Sequence, residues 1–347
     1  MTPRVRGAAV PAVVLALLLL GSVLVAVGLG SVRLPPADVA AVVLRRMHLV
    51  AGDGVSAIDD RIVWQLRLPR VVATAAVGAV LALCGVVLQA LTRNDLADPY
   101  LLGISSGAAV GAVLVLVFGV GLSSLALPAA MTLASFVGGL VALALVLAMA
   151  TGRGGDLPPS RTILAGVAVA QLAGAFTSLA IMVFGERDLA RQVLSWTLGS
   201  FASVRWTQAL ALLVLGLVAV LVLVAAAGVL DAFAFGDVSA QALGIPVTRA
   251  RWTLLVLTAL LTAGTVAVVG PIGFVGLTVP HLVRIVVGPT HRALLPLSAL
   301  AGALLMVWAD TLARTVREGE EIPVGVVTAV LGAPLLVVLL RRQARRG

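Results

Sequence analysis

The sequence predicts an all-α protein that crosses a membrane about ten times, and three observations predict it. Its 347 residues are 61% hydrophobic and 11% charged, with mean hydropathy +1.15; a soluble domain is about half apolar and about a quarter charged. About ten apolar runs approach or reach the roughly 20 residues a helix needs to cross a bilayer. Trp64, Trp196, Trp206, Trp252 and Trp308 fall at predicted span ends, where an interfacial aromatic belt belongs. No stretch of soluble-domain composition is left over, so residues 1–347 read as a single transmembrane domain.

Arg4 and Arg6 precede the apolar run 8–29. The run is longer than a signal-peptide core and lacks a clean Ala-x-Ala ending, so it reads as a retained first span. Residues 30–66 form the longest polar stretch, within which 37–48 suits a short amphipathic helix on the membrane surface. Spans 2, 3 and 4 are expected over about 68–91, 100–120 and 125–150. A loop with Arg153, Asp156, Pro158 and Pro159 leads to span 5, about 162–184, then an amphipathic piece, 189–200, and span 6, about 207–230. A polar break, 231–251, precedes span 7 at 252–269. Residues 275–287 carry Pro280, His281 and Arg284 and are too short to cross upright, so they read as a broken or tilted span 8. Spans 9 and 10 take about 294–315 and 324–340, and Arg341, Arg342, Arg345 and Arg346 close the chain.

With an inside N-terminus, the inner segments hold 13 arginines against 5 aspartates and the outer ones 11 against 10 acidic residues. The Arg-rich C-terminal end and Arg4 and Arg6 favour that orientation. Span 2 starts outside with Arg67-Leu-Pro-Arg70 and span 7 inside with Arg249 and Arg251, each leading to a Gly/Pro-punctuated break. This hints at an inverted repeat of spans 2–5 and 7–10.

Composition also excludes functions. All 24 basic residues are arginine. A P-loop needs its lysine on the phosphates, so any ATP-driven process requires a separate ATPase subunit; Schiff-base chemistry falls with it. The formal charge of +9 is scattered between apolar runs rather than gathered on a soluble face, which argues against nucleic acid. The single cysteine, Cys84, lies within an apolar run and reads as a small buried hydrophobe. His281 and His291, one in a helix and one in a loop, do not read as a metal pair. No cofactor is expected. Spans 1–7 and 10 contain no Asp, Glu or His, so an ion-coupled secondary transporter, which places such groups at membrane depth, is the weaker alternative. A membrane-embedded enzyme is weaker still. Asp310 and Arg314, four apart near the end of span 9, are expected to pair at the surface.

One stretch organises the chain: Asn94-Asp-Leu-Ala-Asp-Pro-Tyr-Leu-Leu-Gly-Ile-Ser-Ser-Gly107. Its irregular backbone cannot face lipid, so it lines a protein-enclosed cavity or sits at the aqueous edge. Ahead of it stand Arg67-Leu-Pro-Arg70 and Val77-Gly-Ala-Val-Leu-Ala-Leu-Cys-Gly-Val-Val-Leu-Gln89. Far downstream come Gly270-Pro-Ile-Gly-Phe-Val-Gly-Leu-Thr-Val-Pro-His-Leu-Val-Arg284, Asp310-Thr-Leu-Ala-Arg314, Ile322-Pro-Val-Gly325 and Leu331-Gly-Ala-Pro334. From about Arg67 onward the chain resembles the FecCD-type permeases of ABC importers for iron-siderophores, haem and vitamin B12.

The resemblance implies the same inverted repeat and a permease that forms a homo- or heterodimer in the cytoplasmic (inner) membrane. It is fed by a periplasmic or lipid-anchored solute-binding protein and driven by separate ATP-binding cassette subunits, with an iron-siderophore as the first candidate solute and haem or cobalamin after it. It implies that Arg67, Arg70 and Arg314 meet glutamates of the binding protein; on the residues alone they could equally be arginines snorkelling to headgroups. It makes Asn94, Leu96, Pro158 and Pro159 a cytoplasmic gate. Residues 236–246 have readable helix ends, with Asp237 fit to cap, Gly244 for the C′ position and Pro246 as a stop. That piece could be an inert surface helix; the resemblance makes it the coupling helix, through Asp237, Ser239, Gln241, Leu243 and Gly244. Gly166, Ala170, Gly174 and Ser178, four apart, suit close helix packing, and the resemblance makes them pore-lining at the dimer axis. The pattern departs from the family at Asp95, where proline is usual, at Pro289-Thr290 and at Leu335-Leu336.

Overall fold

The computed structural model describes residues 3–30, 32–49, 56–119, 126–184, 187–317 and 320–344. The expected end of span 3 at Val120, the start of span 4 at Leu125, and Arg345 and Arg346 lie outside them. The elements are α1 (Pro3–Gly28), α2 (Pro36–Arg46), α3 (Ala57–Arg61), α4 (Leu68–Thr92), α5 (Ile104–Phe118), α6 (Ala126–Ala150), α7 (Pro159–Phe184) and α8 (Arg187–Thr197). They continue with α9 (Trp206–Ala225), α10 (Ala227–Phe233), α11 (Asp237–Ala242), α12 (Val247–Val269), α13 (Val275–Val287), α14 (His291–Ala313) and α15 (Val324–Ala344). Among the described residues there is no strand. Seven helices among the described residues are long and apolar enough to cross a membrane, and three shorter apolar ones, Ile104–Phe118, Val275–Val287 and Val324–Val338, lie where spans 3, 8 and 10 were expected.

The second span starts earlier than the expected Leu68. Pro69 cannot donate to the carbonyl four residues back and its ring crowds that turn. The chain does not begin a helix there; Ile62–Arg67 loosens into a π-helical turn that joins α3 to α4, giving one apolar rod over Ala57–Thr92. Asp60, at its start, is gripped by Arg45 and Arg46 of the amphipathic α2.

α4 is the axis of the fold, with 19 of its 25 residues buried. Arg70 pairs with Asp310 and Gly78 lies against Gly302, so α4 and α14 run antiparallel. Cys84 sits beside the Thr258 carbonyl, while Leu88 and Leu91 share a cavity with Leu255 and Arg251, so α12 also runs antiparallel to α4. At Gly78–Gly302 and Gly85–Gly276 the backbones touch, and a Cβ on either α4 glycine would overlap a carbonyl. Such small-residue contacts hold membrane helices together where water supplies no hydrophobic drive.

Irregular backbone is satisfied by other irregular backbone. Ser200 donates to the Val269 carbonyl at 2.8 Å, and Val324 and Gly325 donate to Gly199 and Leu198, each at 3.1 Å. The Ile272 N–H reaches the Tyr100 hydroxyl. These bonds tie residues 198–200, 269–272 and 322–325 into one knot, so the breaks do not expose polar groups to lipid. Three tryptophan indoles are used internally as well: Trp206 donates to the Trp64 carbonyl (2.7 Å), Trp252 to Gly155 (2.9 Å) and Trp308 to Ser22 (3.0 Å). At the opposite end, Asp231 of α10 accepts the backbone N–H of His291 at 2.8 Å and stands 2.7 Å from its Nδ1. That carboxylate supplies the N-terminal cap that Thr290 does not.

Candidate functional site

Two polar clusters occupy the two ends of the bundle. At the end expected to face outward, Arg67, Arg70, Arg205, Arg314, Arg317, Glu320 and Glu321 surround a cavity of about 480 Å³. The arginines singled out from the sequence are not presented freely. Arg67 is buried, its Nη1 donating to the Val27 and Gly28 carbonyls at 3.0 Å and its Nη2 to Val32 at 2.5 Å. Arg70 is buried in a fork on Asp310 and a second contact with Glu321 at 2.8 Å. Arg314 is half-buried, with Nη2 on the Ala26 carbonyl and Nε 3.7 Å from Asp310. The expected surface pairing of Asp310 with Arg314 is corrected: Asp310 is 1% exposed and its main partner is Arg70. α1 packs over this end of α14, which removes the carboxylate from water.

At the other end lies the stretch from Asn94. Arg93 takes the left-handed conformation that terminates α4. Asn94 accepts the Leu96 N–H at 3.0 Å through its side chain and the Ala97 N–H at 3.0 Å through its carbonyl, which closes a tight turn. Asp98 then caps the 3-10 turn Pro99–Leu102 by accepting the Tyr100 N–H at 2.9 Å. Gly103, at φ +70, opens α5 while lying against the Gly166 carbonyl of α7. The turn is fastened to α13: Arg284 donates to Asp95 at 2.8 Å and to Gln89 at 2.9 Å, and Gln89 reaches back to the Gly276 and Leu277 carbonyls.

Of the expected gate residues, Pro159 lines a small cavity together with Ala97 and Asp98, whereas Asn94 is exposed and Leu96 and Pro158 are half-buried outside that lining. In the row on α7, Gly166 is buried under Gly103, Ala170 is half-buried, and Gly174 and Ser178 are exposed. The row is thus packed at one end only, and the closest helix contacts belong to other glycines. Within residues 236–246 the chain does form a helix, Asp237–Ala242, but Asp237 does not cap it. Gly236, at φ +92, is the N-cap, and Asp237 instead binds Arg251 of α12 at 2.8 Å. Gly244, at φ +81, takes the C′ position: Ile245 donates to Ala240 at 3.1 Å and Gly244 to Gln241 at 2.9 Å, both bonds of a Schellman close. Ser239, Gln241, Leu243 and Gly244 face outward, beside Phe235 and Val238, which are 77% and 81% exposed. Among the described residues no group of three or more His, Cys, Asp or Glu side chains gathers as a metal site would need.

The family model of the FecCD transport family matches residues 17–342. The chain belongs to the FecCD transport family. It is 44% identical over 83% of its length to the vitamin B12 import system permease protein BtuC of Vibrio cholerae, covering 85% of that protein. It is 42% identical over 84% of its length to the cobalamin import system permease protein BtuC of Halobacterium salinarum, covering 77% of it. It is also 36% identical over 94% of its length to an ABC transporter permease protein of Bacillus subtilis, YvrB, covering 92% of it. A solved metal-chelate type ABC transporter in an inward-facing conformation superposes with TM-score 0.81 at 31% identity, over 95% of this chain and 98% of that one. PsaBC from Streptococcus pneumoniae, at TM-score 0.50 and 18% identity, shares the fold.

As a FecCD-family chain it is a multi-pass permease of the cytoplasmic membrane, the membrane subunit of an ABC importer and not an enzyme. Several groups at its two ends escaped the sequence reading. Arg205, Arg317, Glu320 and Glu321 line the outer cavity; they are separated from Arg67 by well over a hundred residues, so no local pattern joins them. Asp98 carried a signal, a carboxylate just before Pro99 in the irregular stretch. Arg251 reads from the sequence only as one of the inner arginines at the start of span 7.

Proposed function

We propose that the solute carried by this permease is vitamin B12 or a closely related cobalt corrinoid. The single observation that carries this reading is the likeness to two corrinoid permeases at 44% and 42% identity over most of the chain. The motifs by themselves put an iron-siderophore first; the likeness to a metal-chelate type transporter favours that as the second reading. The test is uptake by the complex reconstituted in vesicles with its binding protein, with radiolabelled cyanocobalamin in one arm and a ferric siderophore in the other. ATP-dependent accumulation of the corrinoid alone is expected. Accumulation of the siderophore alone refutes the corrinoid, and uptake abolished by an uncoupler but not by ATP depletion would restore the ion-coupled carrier.

The chain works as one transmembrane unit beside a second permease subunit. The apolar, uncovered face of α7, with Leu164, Leu172, Leu179 and Met182 exposed, supports its placement at that dimer axis, with Ala170, Gly174 and Ser178 toward the conduit and Gly166 packed beneath Gly103. Two ATPase subunits seat α11, through Asp237, Ser239, Gln241, Leu243 and Gly244. The exposed Phe235, Val238 and Leu243 support this, since apolar side chains in water mark a partner surface. Asn94, Leu96, Pro158 and Pro159 close the inner mouth. At the outer end a solute-binding protein presents acidic groups to the arginine-lined cavity. Arg67, Arg70 and Arg314 shape its floor, and the more exposed Arg205 and Arg317 provide its rim. Nucleotide acts through differential stabilisation of outward- and inward-open states.

A further inference from the structure

Two buried charged side chains at the inner end are only partly paired, and they line the same cavity. Asp98 and Arg251 are each 8% exposed. The Oδ1 of Asp98 accepts the Tyr100 N–H, while its Oδ2 has no partner. Arg251 donates through Nη2 to Asp237 at 2.8 Å and stacks over Phe233 at 5.4 Å, while its Nε has no partner. The cavity they both line offers a space of about 20 Å³ and is bounded also by Leu91, Pro159 and Thr162. That is room for one water molecule. A buried carboxylate oxygen and a buried guanidinium nitrogen left without partners are exceptional in folded proteins and call for a physical reason.

We propose that Arg251 is the positioning residue linking the ATPase-facing helix α11 to the gate turn, exchanging Asp237 for Asp98 as the transporter changes state. This rests on the reading of α11 as the coupling helix. In the present state Arg251 is held by Asp237 at the first residue of α11, and Asp98 waits unpaired at the foot of the turn that starts from Asn94. α11 meets α12 through Gly244, Ile245 and Pro246, a junction turned by the positive φ of Gly244. Displacement of α11 withdraws Asp237 from Arg251, and the guanidinium's other acceptor is the carboxylate across the cavity. Forming that pair expels the water-sized space and draws residues 94–98 toward α12. Both ends of the relay then bias one two-state element, the physical requirement for coupling between distant sites. Thr162 and Pro159, at the start of α7, form the wall against which the turn moves.

The test uses the full complex in vesicles, with ATPase subunits and binding protein, and compares solute delivered per ATP hydrolysed. Asp98→Asn and Arg251→Gln are each expected to lower it tenfold or more, and the double variant to be no worse than the poorer single. Arg251→Lys, which keeps the charge, is expected to retain more coupling than Arg251→Gln. Asp98→Asn removes an unpaired buried charge, so its melting temperature is expected to equal or exceed that of the parent while coupling falls; a merely structural residue would not separate the two readouts. Normal coupling in Asp98→Asn, or losses that multiply in the double variant, overturn the exchange. A cross-link from Val238→Cys to the ATPase subunit tests the underlying reading on its own. If it forms while the exchange fails, only the relay is wrong; if it does not form, the coupling assignment of α11 and the relay fall together.

Discussion

Arg70 and Asp310 stand 240 residues apart and are joined by two hydrogen bonds of 2.9 Å, one from Nε and one from Nη2. The fork locks the start of α4 to the end of α14 beneath the outer cavity. Removing Asp310 leaves Arg70 with Glu321 alone, so the loss is expected to fall below the about 3–5 kcal/mol of a buried ion pair broken to leave one charge uncompensated. Asp310→Ala is therefore expected to lower the melting temperature of the purified permease by several degrees. Arg70→Met combined with Asp310→Leu is expected to be less damaging than Asp310→Ala alone. A double variant worse than the single by the full additive amount would show that the fork contributes little.

The rim and floor of the outer cavity separate binding from folding. Arg317 is exposed, with a side-chain accessibility of 68%, whereas Arg67 is committed to three backbone carbonyls. Arg317→Glu is expected to weaken association with the binding protein in a low-salt pull-down at unchanged thermal stability. Arg67→Glu and Arg314→Glu are expected to weaken association and to lower stability together. Unchanged affinity across all three would refute docking at this cavity.

Asp98 sets a pH dependence. Burial pushes its carboxyl from 3.8 up to about 6, against the opposing Tyr100 N–H bond. A folded-state pKa above the unfolded one stabilises the fold at acid pH and loses that contribution as pH climbs between about 4 and about 6. The shift corresponds to about 3 kcal/mol. The melting-temperature advantage of Asp98→Asn over the parent is therefore expected to be small at pH 4 and to grow toward pH 7. An advantage independent of pH would mean that the carboxyl is not the titrating cause.

Asp95 occupies the second position of the turn that Asn94 closes, a position that favours proline. Its pair with Arg284 is half exposed on the Asp side and of the kind that contributes about 0.2–1 kcal/mol. Proline there would recover about 0.4–1 kcal/mol by restricting the unfolded chain. Asp95→Pro is thus expected to leave the melting temperature within a few degrees of the parent and to retain uptake. A large fall would mean that the latch to α13, not the turn itself, holds the gate. The departure from the family pattern at this position leaves the turn intact.

Gly244 carries the left-handed residue that ends α11. Proline cannot adopt φ +81 and lacks the N–H that bonds Gln241. Gly244→Pro is expected to reduce transport severalfold per ATP hydrolysed while the ATPase subunits still bind. Normal coupling in that variant would contradict the coupling assignment.

The sequence by itself determined that this is a polytopic all-helical membrane protein, where its breaks fall, and, through long ordered motifs, its family. Those properties are written locally: apolar length fixes spans, and glycine and proline fix interruptions. The tertiary structure decided which charges meet. Asp310 reads as a surface partner of Arg314 because they are four residues apart on one helix, yet α4 and α1 close over it and hand it to Arg70. Asp237 reads as a cap by position, yet Arg251 of α12 claims it. Span 2 is expected to begin at about Leu68, yet a π turn carries the helix back to Ala57. In each case the local preference is small, while leaving a charge or a carbonyl unpaired in a bundle shielded from water is not. Partner choice therefore follows from packing between distant segments, which no spacing along the chain records.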